Sequence, residues 1–234
     1  MSDDLLSIAE KRTTILERMA GAAKRAGRQD ESVLVAVSKV QPDERIKEML
    51  TAGQKIFGEN RVQEAQKRWG ETFANQRKEI ELRLIGPLQT NKAEDAVSLF
   101  DVIETLDREK LAKALVKAAE KTGQMPRLLV QVNTGEEEQK AGVAPDGVSD
   151  FLGLLKSNYG LTPEGLMCIP PIGEAASPHF WILEKLANKH GLKTISMGMS
   201  GDFETAIEMG ATHVRVGSAS VSYTHLTLPT TPYV

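Results

Sequence analysis

One cysteine, Cys168, is too few for an internal disulfide, and a chain without such staples fits a reducing, cytoplasmic setting. Histidine is scarce too: four scattered residues carry no zinc-ligand spacing, so no metal site is expected. No apolar run approaches the roughly 20 residues needed to cross a bilayer. The opening residues, Met1-Ser-Asp-Asp-Leu-Leu6, lack the charged-then-apolar order of a secretion signal. Positive charge is not in excess either. The formal net charge of −3 argues against a nucleic-acid partner and against a polybasic membrane contact. Aromatic residues make up only 5%, yet 41% hydrophobic and 26% charged residues are enough for an ordinary packed core. No Pro- or Ser-rich linker divides the chain. Its length of 234 residues suits one α/β barrel and is too short for two large domains.

What is present is a repeated alternation of short apolar runs and helical stretches. Leu5, Ile8, Ile15, Met19 and Ala22–Ala23 recur at helical spacing, which predicts a leading helix over about Asp4–Gly27. Val33–Val37 is a continuous apolar run rich in β-branched residues, the mark of a strand buried on both faces. Pro42 opens the next helix and Gly53 closes it. Further strands are predicted at Lys55–Gly58, Leu82–Gly86, Asp101–Glu104, Arg127–Val132, Leu161–Met167, Thr194–Met197 and His213–Val216. Helices are predicted near Arg61–Gln76, Asn91–Ser98, Arg108–Thr122, Asp146–Ser157, Ser177–His190 and Phe203–Met209. Parallel neighbours need such crossovers, and eight units favour closure into a (β/α)8 TIM barrel over an open doubly wound sheet. Residues 1–219 are therefore read as one domain. From Ser220 to Val234 the pattern stops: the stretch is threonine-rich, uncharged and broken by Pro229 and Pro232. That stretch looks like a translated sequencing adapter, so the native chain is expected to end near Ala219.

In a parallel barrel the chemistry gathers at the C-terminal ends of the strands. That rule selects Ser38-Lys39, Glu59-Asn60, Gly86–Gln89, Asn133, Met167–Pro170, Met199–Asp202 and Gly217-Ser218. Lys39 ends an otherwise apolar strand, and desolvation there would leave neutral amine to attack an aldehyde. A strand that simply leaves the barrel on a charged residue would read the same. The glycine- and serine-bearing loops Met197–Asp202 and Val216–Ala219 follow the seventh and eighth strands, where barrels commonly bind phosphate. Plain tight turns also use glycine. Arg215 shares a face with Gly217 and needs an acceptor inside the barrel, either a carboxylate or a cofactor ring nitrogen. Asn60 could cap a helix starting at Arg61. Cys168, without a base nearby, reads as a small buried residue, and Glu136–Lys140 as a solvated loop.

Taken in order, these segments resemble the pyridoxal-phosphate homeostasis family, whose fold is like the barrel domain of alanine racemase. The matching stretches are Val35–Lys39, Phe57–Glu64, Leu84–Lys92, Gln131–Asn133 with Gln139–Gly142, Gly165–Met167, Ser196–Asp202 and Gly210–Ser218. The resemblance implies that pyridoxal 5′-phosphate (PLP) is held as a Schiff base on Lys39. Ser200, Gly217 and Ser218 would hold its phosphate, Arg215 would face the pyridine nitrogen, and Asn60 would lie close by. Two departures stand out: Arg83 occupies a position where histidine is expected, and the family's continuation after Ala219 is replaced.

The same resemblance separates a carrier from an enzyme. Arginine does not give up its proton, so Arg215 would keep the ring nitrogen unprotonated and weaken its capacity as an electron sink. A racemase works around this with a second acid/base, which alanine racemase takes from a tyrosine in another domain. Here Tyr223 and Tyr233 lie in the anomalous tail, and Tyr159 precedes the sixth strand. The reading is a monomeric, cytoplasmic, non-catalytic PLP carrier with apo-PLP enzymes as recipients; the enzyme alternative is a PLP-dependent amino-acid racemase.

Overall fold

A computed structural model describes residues 7–39 and 41–217. The leading helix is α1 (Ile8–Arg25), which Ser7 and Glu10 start with a reciprocal capping box. Eight strands follow: β1 (Val33–Val37), β2 (Ile56–Glu59), β3 (Glu81–Leu84), β4 (Val102–Leu106), β5 (Arg127–Val132), β6 (Gly165–Cys168), β7 (Thr194–Met199) and β8 (His213–Gly217). Each pairs in parallel with the next and β8 returns to β1, closing the barrel that the strand count favours. The crossovers are α2 (Asp43–Thr51), α3 (Val62–Ala65), α4 (Ala93–Leu99), α5 (Glu109–Thr122), α6 (Val148–Tyr159), α7 (Ala176–Lys189) and α8 (Phe203–Glu208). Among the described residues no helix is long and apolar enough to cross a membrane.

Alternation along the strands divides their side chains between two layers. Leu34 and Ala36, Leu82 and Leu84, Val214 and Val216 face outward, into the main core beneath the helices. The opposite row faces the barrel interior. There Val102, Leu129 and Met167 form a small apolar group of their own. Arg83, Glu104, Ser196 and Arg215 share that interior and are all buried. Gly58 also belongs to this row, where a Cβ would fall 2.9 Å from Ile85 Cδ1 and 3.1 Å from Val35 Cγ1.

Two expectations need correction. The third helix, anticipated as continuous over Arg61–Gln76, is one α-turn at α3 running into a π-helical segment, Gln66–Thr72. The sixth strand begins at Gly165, not Leu161, because Pro163 cannot donate to a ladder and the backbone at Glu164 N bonds Leu128 O outside the strand.

Candidate functional site

The site is built from the register of β1 against β8. Val35 pairs with Arg215 and Val37 with Gly217. Lys39 follows Val37 by two residues, just past the mouth end of β1. It is not part of the strand, however. The ladder reaches Ser38, whose N–H donates to Gly58 O at 3.0 Å; then Gln41 N–H donates to Ser38 O at 3.2 Å and closes a turn. That turn leaves Lys39 exposed, so the apolar walls expected around its amine are not there. The residue is instead open to a ligand arriving from solvent.

Gly217 lies across from this turn. Its N–H donates to Ser200 Oγ at 3.4 Å, which joins the loop after β7 to the end of β8. The loop gets its shape from Gly198, at φ +89°, where a Cβ would meet Ala206 Cβ at 2.5 Å. At the same place the β7–β8 register shifts between Ser196 and Met199. Met199 N–H is capped by Asp202 Oδ1 at 2.6 Å, which fixes the turn before α8. Ser218 lies outside the described residues, as do the departures from the family pattern after Ala219.

Deeper in the barrel Arg215 is held in place. Its Nη1 donates to Ser196 Oγ at 2.6 Å and its Nη2 to Cys168 O at 2.7 Å. These bonds engage two of the five donors that a guanidinium carries. Of the two acceptors foreseen for Arg215, a carboxylate is indeed near: Glu104 Oε2 lies 3.9 Å from Nη1 and accepts from Ser196 Oγ at 2.6 Å. Glu104 Oε1 accepts from Arg83 Nε at 2.5 Å. Burial pushes the Glu104 carboxyl up, but Arg83 and Arg215 outweigh it and hold its pKa below the ordinary carboxylate value. Arg83, the residue out of family pattern, thus has a definite place: it is fully buried and also donates to Glu81 Oε1 at 2.5 Å.

Asn60 does not cap a helix. The N-cap of α3 is Arg61 and no side chain caps it. Asn60 instead packs its backbone against Gly86, where a Cβ would sit 2.2 Å from Asn60 O, so this rim depends on a glycine. Cys168 is buried as expected; burial pushes its thiol up to about 12, which leaves it inert as a nucleophile. Tyr159 donates its hydroxyl to Glu109 Oε1 at 2.9 Å, a contact between α5 and α6. No group of His, Cys, Asp and Glu able to hold a metal occurs among the described residues.

Glu59 was placed at the mouth by its position after the second strand, but its role was not legible. It is completely buried and accepts from Ser38 Oγ at 2.7 Å, Arg68 Nη1 at 3.0 Å and Trp69 Nε1 at 3.0 Å, all on Oε1. A lone glutamate ending an apolar strand gives no sign of such partners. A separate groove lies at the N-terminal end of the barrel beside Arg28, Trp181, Lys193 and Thr212. Arg28 is spent there on Asp30 and on the carbonyls of Ile207 and Ala211.

Comparison with known proteins bears on the family and the barrel fold. Residues 14–225 match the family described as alanine racemase, N-terminal domain. A pyridoxal phosphate homeostasis protein of Vibrio cholerae is 40% identical over 226 residues, covering 91% of this chain and 94% of the relative. One from Aquifex aeolicus is 37% identical over 223 residues, covering 91% and 96%. The structure of PipY from Synechococcus elongatus with PLP bound superposes with a TM-score of 0.77 at 33% identity, over 92% of this chain and all of PipY. An alanine racemase from Bartonella henselae, at 13% identity and a TM-score of 0.70 over 94% of this chain and 60% of its own, shares the fold alone.

Proposed function

This chain belongs to the family of pyridoxal phosphate homeostasis proteins, and from that premise we propose that it binds PLP through Lys39 and buffers or delivers the cofactor without turning over a substrate. The observation that supports the reading is the β1–β8 register, in which Val37 pairs with Gly217, Gly217 N–H bonds Ser200 Oγ, and Lys39 follows Val37 by two residues. The donor set suits the cofactor: a hydroxyl and a backbone N–H from two loops for a phosphate, a guanidinium below for a ring nitrogen, and an exposed amine for an aldehyde. In this reading Ser200, Gly217 and Ser218 hold the phosphate, Arg215 faces the ring nitrogen, and Asn60 lines the rim.

When bound, PLP supplies an aldehyde and a ring that acts as an electron sink if its nitrogen is protonated. Arg215 opposes that protonation, because its charge is permanent and Ser196, Cys168 O and nearby Glu104 fix its orientation. Tyr159, tied to Glu109 on the helical layer, is poorly placed to act as a second acid/base. Both features favour a carrier. Recipients would be apo-forms of PLP enzymes, and the working unit is taken as a monomer comprising residues 1–219.

Titration with PLP should generate an absorbance near the visible edge, which borohydride fixes as a mass increment on Lys39. Retention of that signal in Lys39→Ala, or an increment on another lysine, rejects the assignment. Incubation with D- or L-alanine in deuterated water separates carrier from racemase: the carrier reading expects no α-proton exchange at catalytic rates, and rapid exchange supports the enzyme.

A further inference from the structure

Lys39 lies in a turn, and a reactive amine on a turn is only as well placed as the turn is held. The chain on both sides of Lys39 is gripped by one side chain. Arg68 Nη1 donates to Ser38 O at 2.7 Å, and its Nη2 donates to Gln41 O at 2.7 Å. Its Nε reaches Asp43 Oδ1 at 3.3 Å, at the start of α2. The guanidinium fork therefore brackets the Lys39 turn by its two carbonyls, which a point charge could not do.

Arg68 is itself oriented by Glu59, at 3.0 Å, with the arginine 14% exposed and the glutamate fully buried. Glu59 also receives Ser38 Oγ and Trp69 Nε1. Ser38 faces outward like Ala36, so this cluster lies behind the barrel wall while Lys39 is exposed on the turn next to it. Arg68 and Trp69 are consecutive, yet both reach the same carboxylate oxygen; they do so from the π-helical segment, a wider winding that recurs at functional sites. The second oxygen of Glu59, Oε2, has no hydrogen-bond partner among the described residues despite its burial. A carboxylate placed only for stability would be expected to use both oxygens.

We infer that Arg68, oriented by Glu59, is a positioning residue that holds the Lys39 turn in the geometry needed for its amine to join an aldehyde. The inference rests on the proposed attachment of PLP at Lys39. In that step the amine nitrogen forms a double bond to the aldehyde carbon, and the carbonyl oxygen leaves as water with the two amine protons. Arg68 touches none of these atoms; it sets where the nitrogen stands.

The test uses Arg68→Lys, which keeps a charge beside Glu59 but cannot bracket two carbonyls. Three quantities are compared with the wild type: amide exchange of residues 38–43 without ligand, the rate at which the borohydride-reducible chromophore forms with PLP, and the affinity for pyridoxine 5′-phosphate, which has an alcohol in place of the aldehyde. Positioning predicts faster exchange in the turn and chromophore formation about 10- to 100-fold slower. It also predicts pyridoxine 5′-phosphate affinity within about twofold of wild type, because that ligand makes no bond to the amine. An unchanged rate, or equal losses for both ligands, overturns the inference. If Arg68→Lys lacks a cooperative thermal transition, Ser38→Ala carries the same prediction at about threefold, since it removes one hydroxyl bond to Glu59. If the wild type forms no chromophore on Lys39, the carrier reading fails; the exchange measurement still decides whether Arg68 holds the turn, and unchanged protection overturns that.

Discussion

Glu104 and Glu59 are both completely buried carboxylates paired with arginine, but they are built differently. Glu104 lies inside the barrel and uses both oxygens, one on Arg83 from β3 and one on Ser196 from β7. Through Ser196 it also reaches Arg215 on β8, so its bonds run from wall to wall. Glu59 lies behind the rim and uses one oxygen, whose donors come from the Lys39 turn and the π-helical segment. The contrast separates two uses of a buried charge. Where every partner is a strand residue, removing the charge attacks the fold; where the partners are a turn and a short irregular helix, it attacks the placement of a neighbour.

The largest effect is therefore expected at Glu104. Replacement by leucine leaves Arg83 with only Glu81 as a carboxylate partner among the described residues and deprives Arg215 of its nearby one. Stranding a buried charge in this way costs about 3–5 kcal/mol, to be read as a fall in the urea midpoint at unchanged slope. Combining it with Arg83→Leu should recover much of that loss. A double variant no better than Glu104→Leu alone would mean that the pair does not act as a unit.

The interior is also where acid should act. Burial, followed by the positive charge of Arg83, holds the His213 imidazole down at about 4 from its ordinary 6.5; Glu104 and Glu81 pull the other way, and Arg127 adds to the lowering. The unfolded chain then binds a proton that the folded chain refuses between those two values, so stability rises with pH through the window and is lost as pH falls from 6.5 towards 4. One such proton is worth about 1.4 kcal/mol per pH unit, or roughly 2 kcal/mol between pH 7 and pH 5. Urea titrations at those two pH values should show that loss in the wild type and most of it absent in His213→Gln. An equally steep variant would assign the acid sensitivity to the carboxylates instead.

A smaller change is expected at the bulge that shapes the rim. Gly198→Ala forces a Cβ to within 2.5 Å of Ala206 Cβ at a φ of +89°, a combination that costs about 1–3 kcal/mol. Because Ser200 lies two residues on in the same loop, this variant should also weaken binding of inorganic phosphate, which isothermal titration would record. Lost stability with phosphate affinity intact would detach the loop from the site.

How much of this could be read beforehand follows the same division. The strands β1 and β5 match the anticipated runs residue for residue, because short stretches this rich in valine and leucine have few alternatives inside a closed parallel sheet. Glycine and serine after the last two strands marked the rim loops, since close backbone approach limits residue choice. Arg83 and Glu104 were out of reach: each is an ordinary charged residue until the barrel closes and brings β3, β4, β7 and β8 around one interior. The Arg68 bracket was hidden for a further reason. It depends on a π-helical winding, and Gln66–Thr72 carries no sequence mark that separates such a turn from an α-helix.

The smallest expected effect is at the residue on which the functional reading turns. Lys39 is exposed and no salt bridge holds its amine among the described residues. Lys39→Ala should therefore change the stability of the ligand-free protein by no more than about 0.5 kcal/mol. With PLP the two proteins should part: a ligand at a hundred times its dissociation constant stabilises the folded state by about 2.7 kcal/mol, a gain open to the wild type and largely closed to the variant. Thermal midpoints with and without PLP would read both halves of this prediction. A variant already weakened without PLP would make Lys39 part of the scaffold, and the division between a wall that carries stability and a rim that carries function would fail at its most important residue.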